Sequence, residues 1–212
     1  MVTILTLSQK YQHMPLSMLA PWFGLMFPLA FSAGPNNVLC ASLGMRFGIR
    51  KTLPFIAGIN TSILLYSLLI GFGMDRLLDH LPWLFPVIKY AGSAYIFFLA
   101  WSFFRTKNKQ KDKDEDVFRP GFMSGFTVSL LNPKLIYALA IMFVKFSSHT
   151  KGNFQEIILL TILVIIISAS AHFTWLLGGN LISGKITSGK GLKLQNYVFG
   201  GILFLVAVWM LL

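Results

Sequence analysis

The chain alternates long apolar runs with short polar connections. Crossing a bilayer takes about 20 helical residues, and six runs approach or exceed that length, with approximate limits 15–34, 53–74, 84–104, 121–144, 155–177 and 194–212. The pattern predicts an all-α integral membrane protein of six transmembrane helices. The only polar connection of any length, "RTKNKQKDKDEDVFRP", falls between the third and fourth runs. Its charge and low hydrophobicity predict a solvated linker. It divides the chain into a first three-helix half at 1–104, a linker at 105–120 and a second three-helix half at 121–212. Because three is odd, two halves that share a fold must sit inverted in the membrane. Inverted repeats recur in secondary transporters, whose sites form where broken helices of the two halves meet.

Charge fixes the orientation. The connections after runs one, three and five carry twelve Lys and Arg, while the opposite side carries five: Lys10, Arg76, Lys89, Lys145 and Lys151. The positive-inside rule places the twelve in the cytoplasm and both termini outside. The formal net charge of +11 therefore reflects topology rather than a nucleic-acid partner. Charged residues make up 12% of the chain against roughly 25% in soluble domains, too few to cover a water-soluble globule. Lys10 followed by apolar residues up to "AFSAG" has the flavour of a signal peptide, but the uncharged stretch Met14 to Met45 spans 32 residues. A signal core is about 7–15, so a retained first span is expected. The single cysteine, Cys40, excludes a disulfide within the chain and reads as a small buried hydrophobe.

Two interruptions stand at corresponding places. "FSAGPNNVLC" ends the first run, and "SLLNPKLIYA" lies inside the fourth. Aligning Pro35 with Pro133 sets G-P-N against N-P-K, with proline beside asparagine in the first helix of each half. A proline lacks an N–H and displaces the carbonyl four residues earlier; here those carbonyls are Phe31 and Ser129. Bare carbonyls at membrane depth are tolerated only where protein or a water-lined cavity receives them. Gly34 allows close approach, and Asn36, Asn37 and Asn132 supply donors and acceptors. A turn closing the first span is the simpler reading of GPNN, but the uncharged run continues past it to Met45, which puts a break inside the membrane in play.

Lys134 is the one charged residue between Pro120 and Val144. In a continuous helix it would sit about 21 Å from one end and about 15 Å from the other. A centred lysine costs about 2.5–3.5 kcal/mol on insertion scales, and the seven acids all lie in connections or at run ends, so none is an obvious fixed counter-ion. Freed carbonyls, the asparagines or an arriving substrate carboxylate are the available partners; a snorkelling lysine at a kink is the alternative. His172, deep in the fifth run, is either a proton relay or a packed histidine. "GINTS" at 58–62 reads as helix glue, and "AGSAY" and the two Gly-Gly pairs as close packing.

At these residues the chain resembles the LysE/RhtB family of amino-acid exporters. The resemblance rests on "SAGPNNVLCASLGMRFGIRKTLPFIAGI" at 32–59, "KYAGSAYIFFLAW" at 89–101 and "GFTVSLLNPKLIYALA" at 125–140. Within the family, the Asn-Asn after Pro35 and "AGSAYIFFLAW" are most similar to the cysteine/O-acetylserine exporter branch. The resemblance implies a six-span exporter of amino acids or derivatives in the bacterial inner membrane, driven by the proton-motive force and dimeric. It implies function for Gly34, Pro35, Asn36, Asn132, Pro133 and Lys134. One departure is clear: many members read Pro-Gly-Pro where Ala33 precedes Gly34 here, so the first break is expected to be gentler.

The expected function is therefore a secondary exporter of small amino acids. Lys134 would pair with the substrate carboxylate, Asn36, Asn37 and Asn132 would bind its polar groups, and His172 would be a possible proton relay. The missing intramembrane acid favours neutral or zwitterionic substrates over strongly cationic ones. No Walker A, GxGxxG, CxxC or HExxH pattern is present, so neither enzyme, cofactor nor metal is expected. Two rival classes are a non-transporting accessory or sensor subunit acting through the 105–119 loop and an exporter of a different small solute.

Overall fold

The computed structural model describes residues 16–74, 83–105, 120–147, 154–183 and 189–211. Among them the chain forms seven α-helices: α1 (Leu19–Phe31), α2 (Pro35–Leu69), α3 (Leu84–Arg105), α4 (Phe122–Leu130), α5 (Pro133–Phe146), α6 (Phe154–Ser183) and α7 (Gly189–Leu211). Four segments are long and apolar enough to cross a membrane, namely Pro35–Gly73, Pro86–Arg105, Phe154–Ile182 and Lys193–Leu211. Helices α4 and α5, bent by 65° at their junction, form a fifth if taken together. The protein is a multi-pass, all-helical membrane protein. The 105–120 linker falls, except for its two end residues, outside the described residues.

Two of the expected spans take a different form. The first run does not make one helix over 15–34: α1 has 13 residues, about 20 Å at 1.5 Å per residue, and stops at Phe31. The chain re-enters helix at Pro35 and continues, so GPNN opens a helix rather than closing a span. The fourth run is likewise two helices, parted at Leu131 and Asn132. In both places proline occupies the start of the second helix, where its missing N–H would have had no intrahelical partner anyway.

The long α2 is itself two legs. Gly48 lies between them with φ 76° and ψ 178°, a backbone state open to glycine and strained for residues with a Cβ. Arg46 and Arg50 flank this turn, and the Arg46 guanidinium lies 5.4 Å from the centre of the Phe47 ring.

Without water to drive association, membrane helices hold by close contact and by hydrogen bonds between them. Helix α2 packs chiefly on α6 and α4, while α3 pairs with α7. Glycines set the closest crossings. A Cβ on Gly58 would collide with the Phe122 carbonyl, and one on Gly125 with the Phe55 carbonyl, so α2 and α4 meet backbone to backbone. Gly44 against Leu176, and Gly179 against Ala41, do the same for α2 and α6. The small-residue reading holds for one glycine of each pair: Gly179 and Gly200 meet neighbours, whereas Gly178 and Gly201 have nothing within 4 Å.

The "GINTS" glue does not act across helices at Asn60 and Thr61. Their side chains donate to their own helix, to the Ile56 and Ala57 carbonyls at 2.8 and 2.9 Å. Further along α2, the Ser67 and Thr161 hydroxyls do join two helices, at 2.7 Å. Cys40 is buried and free, as its apolar setting predicted. Trp83, Trp101 and Trp209 are exposed, in keeping with interfacial aromatics.

The glycine crossing makes a direct prediction. Gly125→Ala should destabilise the protein by about 1–3 kcal/mol, the usual range for overpacking, and lower its unfolding midpoint in detergent. Gly178→Ala, which meets open space, should leave the midpoint in place.

Candidate functional site at two facing helix breaks

Both breaks are short extended segments. Ser32 (φ −64°, ψ 153°) follows α1, and Gly34 (φ −137°, ψ 174°) precedes α2. Asn132 (φ −97°, ψ 101°) precedes α5, and its Oδ1 accepts from the Lys134 backbone N–H at 3.1 Å. That is a side-chain N-cap, the role asparagine fills best. Gly34 has no side chain to do the same, so the start of α2 lacks a side-chain cap.

The carbonyls left by the breaks are received by side chains from other helices. Phe31, one of the two carbonyls expected to be freed, accepts from the Trp175 indole N–H at 3.1 Å. Ser129, the other, is recovered locally, because the chain tightens after α4 and the Asn132 backbone N–H donates to it at 3.1 Å. The next carbonyl, Leu130, takes the long-range partner instead, the Tyr66 hydroxyl at 2.7 Å. Asn37 serves the first break twice, its Nδ2 donating to the carbonyls of Ala30 and Ser32 at 2.7 and 2.9 Å.

Two contacts bind the breaks to each other. Asn36 Nδ2 lies 3.2 Å from Ser129 Oγ. Lys134 Nζ donates to Ser32 Oγ at 2.7 Å and more weakly to the Ser32 carbonyl at 3.4 Å. The fit is close: a Cβ on Gly34 would lie 3.1 Å from Lys134 Nζ. Among the described residues this ammonium hydrogen-bonds only to neutral groups.

A cavity of about 60 Å³ opens between the breaks, room for a few water-sized groups. Gly34, Asn36, Asn37, Asn132, Lys134 and His172 all line it, although 138 positions separate the first from the last. Met26, Leu29, Ile63, Leu139 and Val164 form apolar walls. Pro35 and Pro133 are not part of the lining; they begin the two helices beside it. His172 reaches the cavity from α6, and its Nδ1 is buried with no partner among the described residues. A helix N-terminus carries partial positive charge, and at the start of α2 that charge combines with the Lys134 cation. The arrangement suits an anionic group.

The sequence matches the LysE type translocators over residues 27–212. The chain belongs to this family. The homoserine/homoserine lactone efflux protein of Salmonella typhimurium is 24% identical over 195 residues, covering 87% of this chain and 93% of the relative. The cysteine/O-acetylserine efflux protein of Salmonella paratyphi A is 28% identical over 159 residues, covering 72% and 77%. The leucine efflux protein of Klebsiella pneumoniae is 27% identical over 176 residues, covering 79% and 82%. No solved structure matches the chain.

In this LysE-family chain the sequence reading missed the partners rather than the motifs. Ser32 lies two residues before Gly34, inside the first motif, and carries no signal apart from that position. Trp175 stands three residues after His172 and likewise has no signal of its own. Tyr66 has none: only the fold brings it to Leu130, 64 positions away.

These carbonyl partners are testable. Leaving a buried acceptor unmet costs about 1–3 kcal/mol, so Tyr66→Phe and Trp175→Phe should each lower unfolding stability by that amount in detergent. Gly34→Ala should act differently: stability changes little because the lysine tail can shift, but the ammonium leaves Ser32 and any transport that uses it slows.

Proposed function

We propose that this protein exports small neutral or zwitterionic amino acids or their derivatives out of the bacterial cytoplasm, as a secondary transporter of the inner membrane driven by the proton-motive force. The observation that carries this reading is Lys134, a cation at the meeting of two broken helices, lining a cavity and, among the described residues, held only by Ser32. Buried charges are normally paired, and a carboxylate arriving with the substrate would complete the pair. Membership of the LysE translocators and relatives named for efflux of homoserine, cysteine, O-acetylserine and leucine support amino-acid export. Their names span several side chains at comparable identity, so the cysteine/O-acetylserine branch is one relative among them.

The topology proposed is six spans in two inverted halves, 1–104 and 121–212, joined by a cytoplasmic linker at 105–120, with both termini outside. What supports it is the turn at Gly48 between Arg46 and Arg50. If that turn is a cytoplasmic hairpin, the legs of α2 belong to separate crossings and α1 with the first leg forms a broken span. That broken span matches α4 with α5. Two such chains would associate as a homodimer through their lipid-facing surfaces, in keeping with the family resemblance.

His172 is assigned the coupling proton. Its Nδ1 is unpartnered, buried and on the same cavity as Lys134, so a proton there and an ammonium nearby would repel each other. Occupation by a substrate carboxylate relieves that repulsion, which links proton and substrate.

Efflux from loaded proteoliposomes tests both assignments. Wild type should export at least one neutral amino acid, and a protonophore should slow it. Lys134→Met should lose transport by at least about tenfold, the scale of one lost charge-assisted contact, while still inserting. His172→Gln should retain downhill efflux but lose its response to an imposed pH gradient. Undiminished efflux through Lys134→Met would remove the lysine from the substrate path.

A further inference from the structure

Asn37 has an amide whose orientation is decided by its neighbours. Its Nδ2 faces two backbone carbonyls, Ala30 and Ser32, at 2.7 and 2.9 Å. Neither can donate, so the nitrogen must be the atom that faces them and Oδ1 must be the atom left over. That Oδ1 is buried and has no partner among the described residues. Asn36, the residue before it, places Nδ2 3.2 Å from Ser129 Oγ and leaves Oδ1 buried and unpartnered; a hydroxyl can donate or accept, so it is Asn37 whose orientation its neighbours fix. Both residues line the cavity, and they are only 8% and 4% exposed for Asn36 and Asn37 respectively.

Two bare carbonyl oxygens on the first turn of one helix are unusual, because buried polar atoms are nearly always satisfied. They are neutral acceptors, and they ask for a donor. No donor among the described residues meets them: the Lys134 ammonium is turned to Ser32, and Asn132, Ser168 and His172, the other polar residues of the lining, make no hydrogen bond to either oxygen.

Resting on the exporter reading above, we infer that Asn36 Oδ1 and Asn37 Oδ1 form the subsite for the substrate's α-ammonium group. The ligand class is a free α-amino acid or a derivative that keeps its primary ammonium. An ammonium has three N–H donors on one nitrogen and no acceptor, so two carbonyl oxygens take two of them and a water takes the third. The Lys134 cation repels the ammonium and attracts the carboxylate, so the zwitterion is held in one orientation. The side chain is left to the apolar walls of Met26, Leu29 and Val164. No formal negative charge is needed at the amino end, which accounts for a site without Asp or Glu. A site that hydrogen-bonds a substrate group rejects analogues lacking that group, because its own buried atoms are then left unpaired.

The test is competition in proteoliposomes containing the full chain. The labelled substrate is a neutral amino acid that the wild-type protein exports. The competitors are the same amino acid unlabelled, its 2-hydroxy acid and its N-acetyl derivative, which keep the carboxylate and side chain but lose the ammonium. In wild type both analogues should compete at least about tenfold more weakly than the amino acid. In Asn37→Ala and in Asn36→Ala the preference should shrink to within about threefold. Lys134→Met should weaken amino acid and hydroxy acid together, because both carry the carboxylate, and should not abolish the preference for the amino acid. Analogues that compete as well as the amino acid in wild type overturn the ammonium assignment and leave the exporter reading intact; so does a preference unchanged in both asparagine variants. Absence of efflux of any amino acid overturns the exporter reading and the subsite with it. The wild-type comparison decides the matter on its own if either asparagine variant fails to insert.

Discussion

A helix broken inside a bilayer must give its loose backbone groups to other protein atoms, since lipid offers none. That constraint organises this structure. The prolines at 35 and 133 create two breaks, and each break draws a polar side chain from a distant helix: Trp175 to the Phe31 carbonyl, Tyr66 to the Leu130 carbonyl. Asn37 folds back to close two more carbonyls at the first break. Among the described residues several buried side-chain atoms stay unmet, and those of Asn36, Asn37 and His172 belong to cavity-lining residues. The same economy that makes the breaks tolerable leaves the site chemically unsaturated.

The two aromatic contacts correspond to each other. Trp175 stands on α6 and receives the end of α1; Tyr66 stands on the second leg of α2 and receives the end of α4. If the halves are inverted copies, α1 pairs with α4 and the second leg of α2 pairs with α6, so these are one contact made twice, each time across the division between halves. A hydrogen bond nets only about 0.5–1.5 kcal/mol. Two such bonds orient the broken helices without locking them, which would suit inverted halves that rock against each other. The glycine crossings behave differently. At Gly58 and Gly125 α2 meets α4, and at Gly44 and Gly179 it meets α6, with backbones in contact, and such contacts hold these helices firmly together.

Much of this was legible before any coordinates. The apolar runs gave the helices, and Pro beside Asn in the first and fourth runs gave the breaks, because proline's missing N–H and displaced carbonyl are properties of the residue alone. Lys134 was legible because a charge far from either end of an apolar run is expensive. The number of residues in each straight segment was less so. The first run reads as one span, yet α1 stops at Phe31, since nothing in hydropathy distinguishes an apolar helix from an apolar helix that ends. The Ser129 carbonyl shows a second limit: a local rule named it as freed, and a local turn recaptured it, passing the vacancy to Leu130. Tyr66 and Trp175 were out of reach for a simpler reason. A tyrosine or tryptophan in an apolar run looks like any other large side chain until the fold shows which carbonyl it faces.

The glycine before Pro35 then has a cause that its own surroundings in the sequence do not supply. Its φ of −137° is open to any residue, so conformational freedom does not explain it. What a larger residue would displace is Lys134, whose Nζ comes within 3.1 Å of the place a Cβ would take. The ammonium has to come that close to reach Ser32, on the far side of the same break. Snorkelling toward a headgroup would need the opposite geometry, a side chain running along its own helix to the interface. Here it crosses between the breaks, to a residue 102 positions away. G-P-N and N-P-K are therefore two parts of one structure: the first provides the gap and the uncapped helix start, and the second provides the cation that fills the gap.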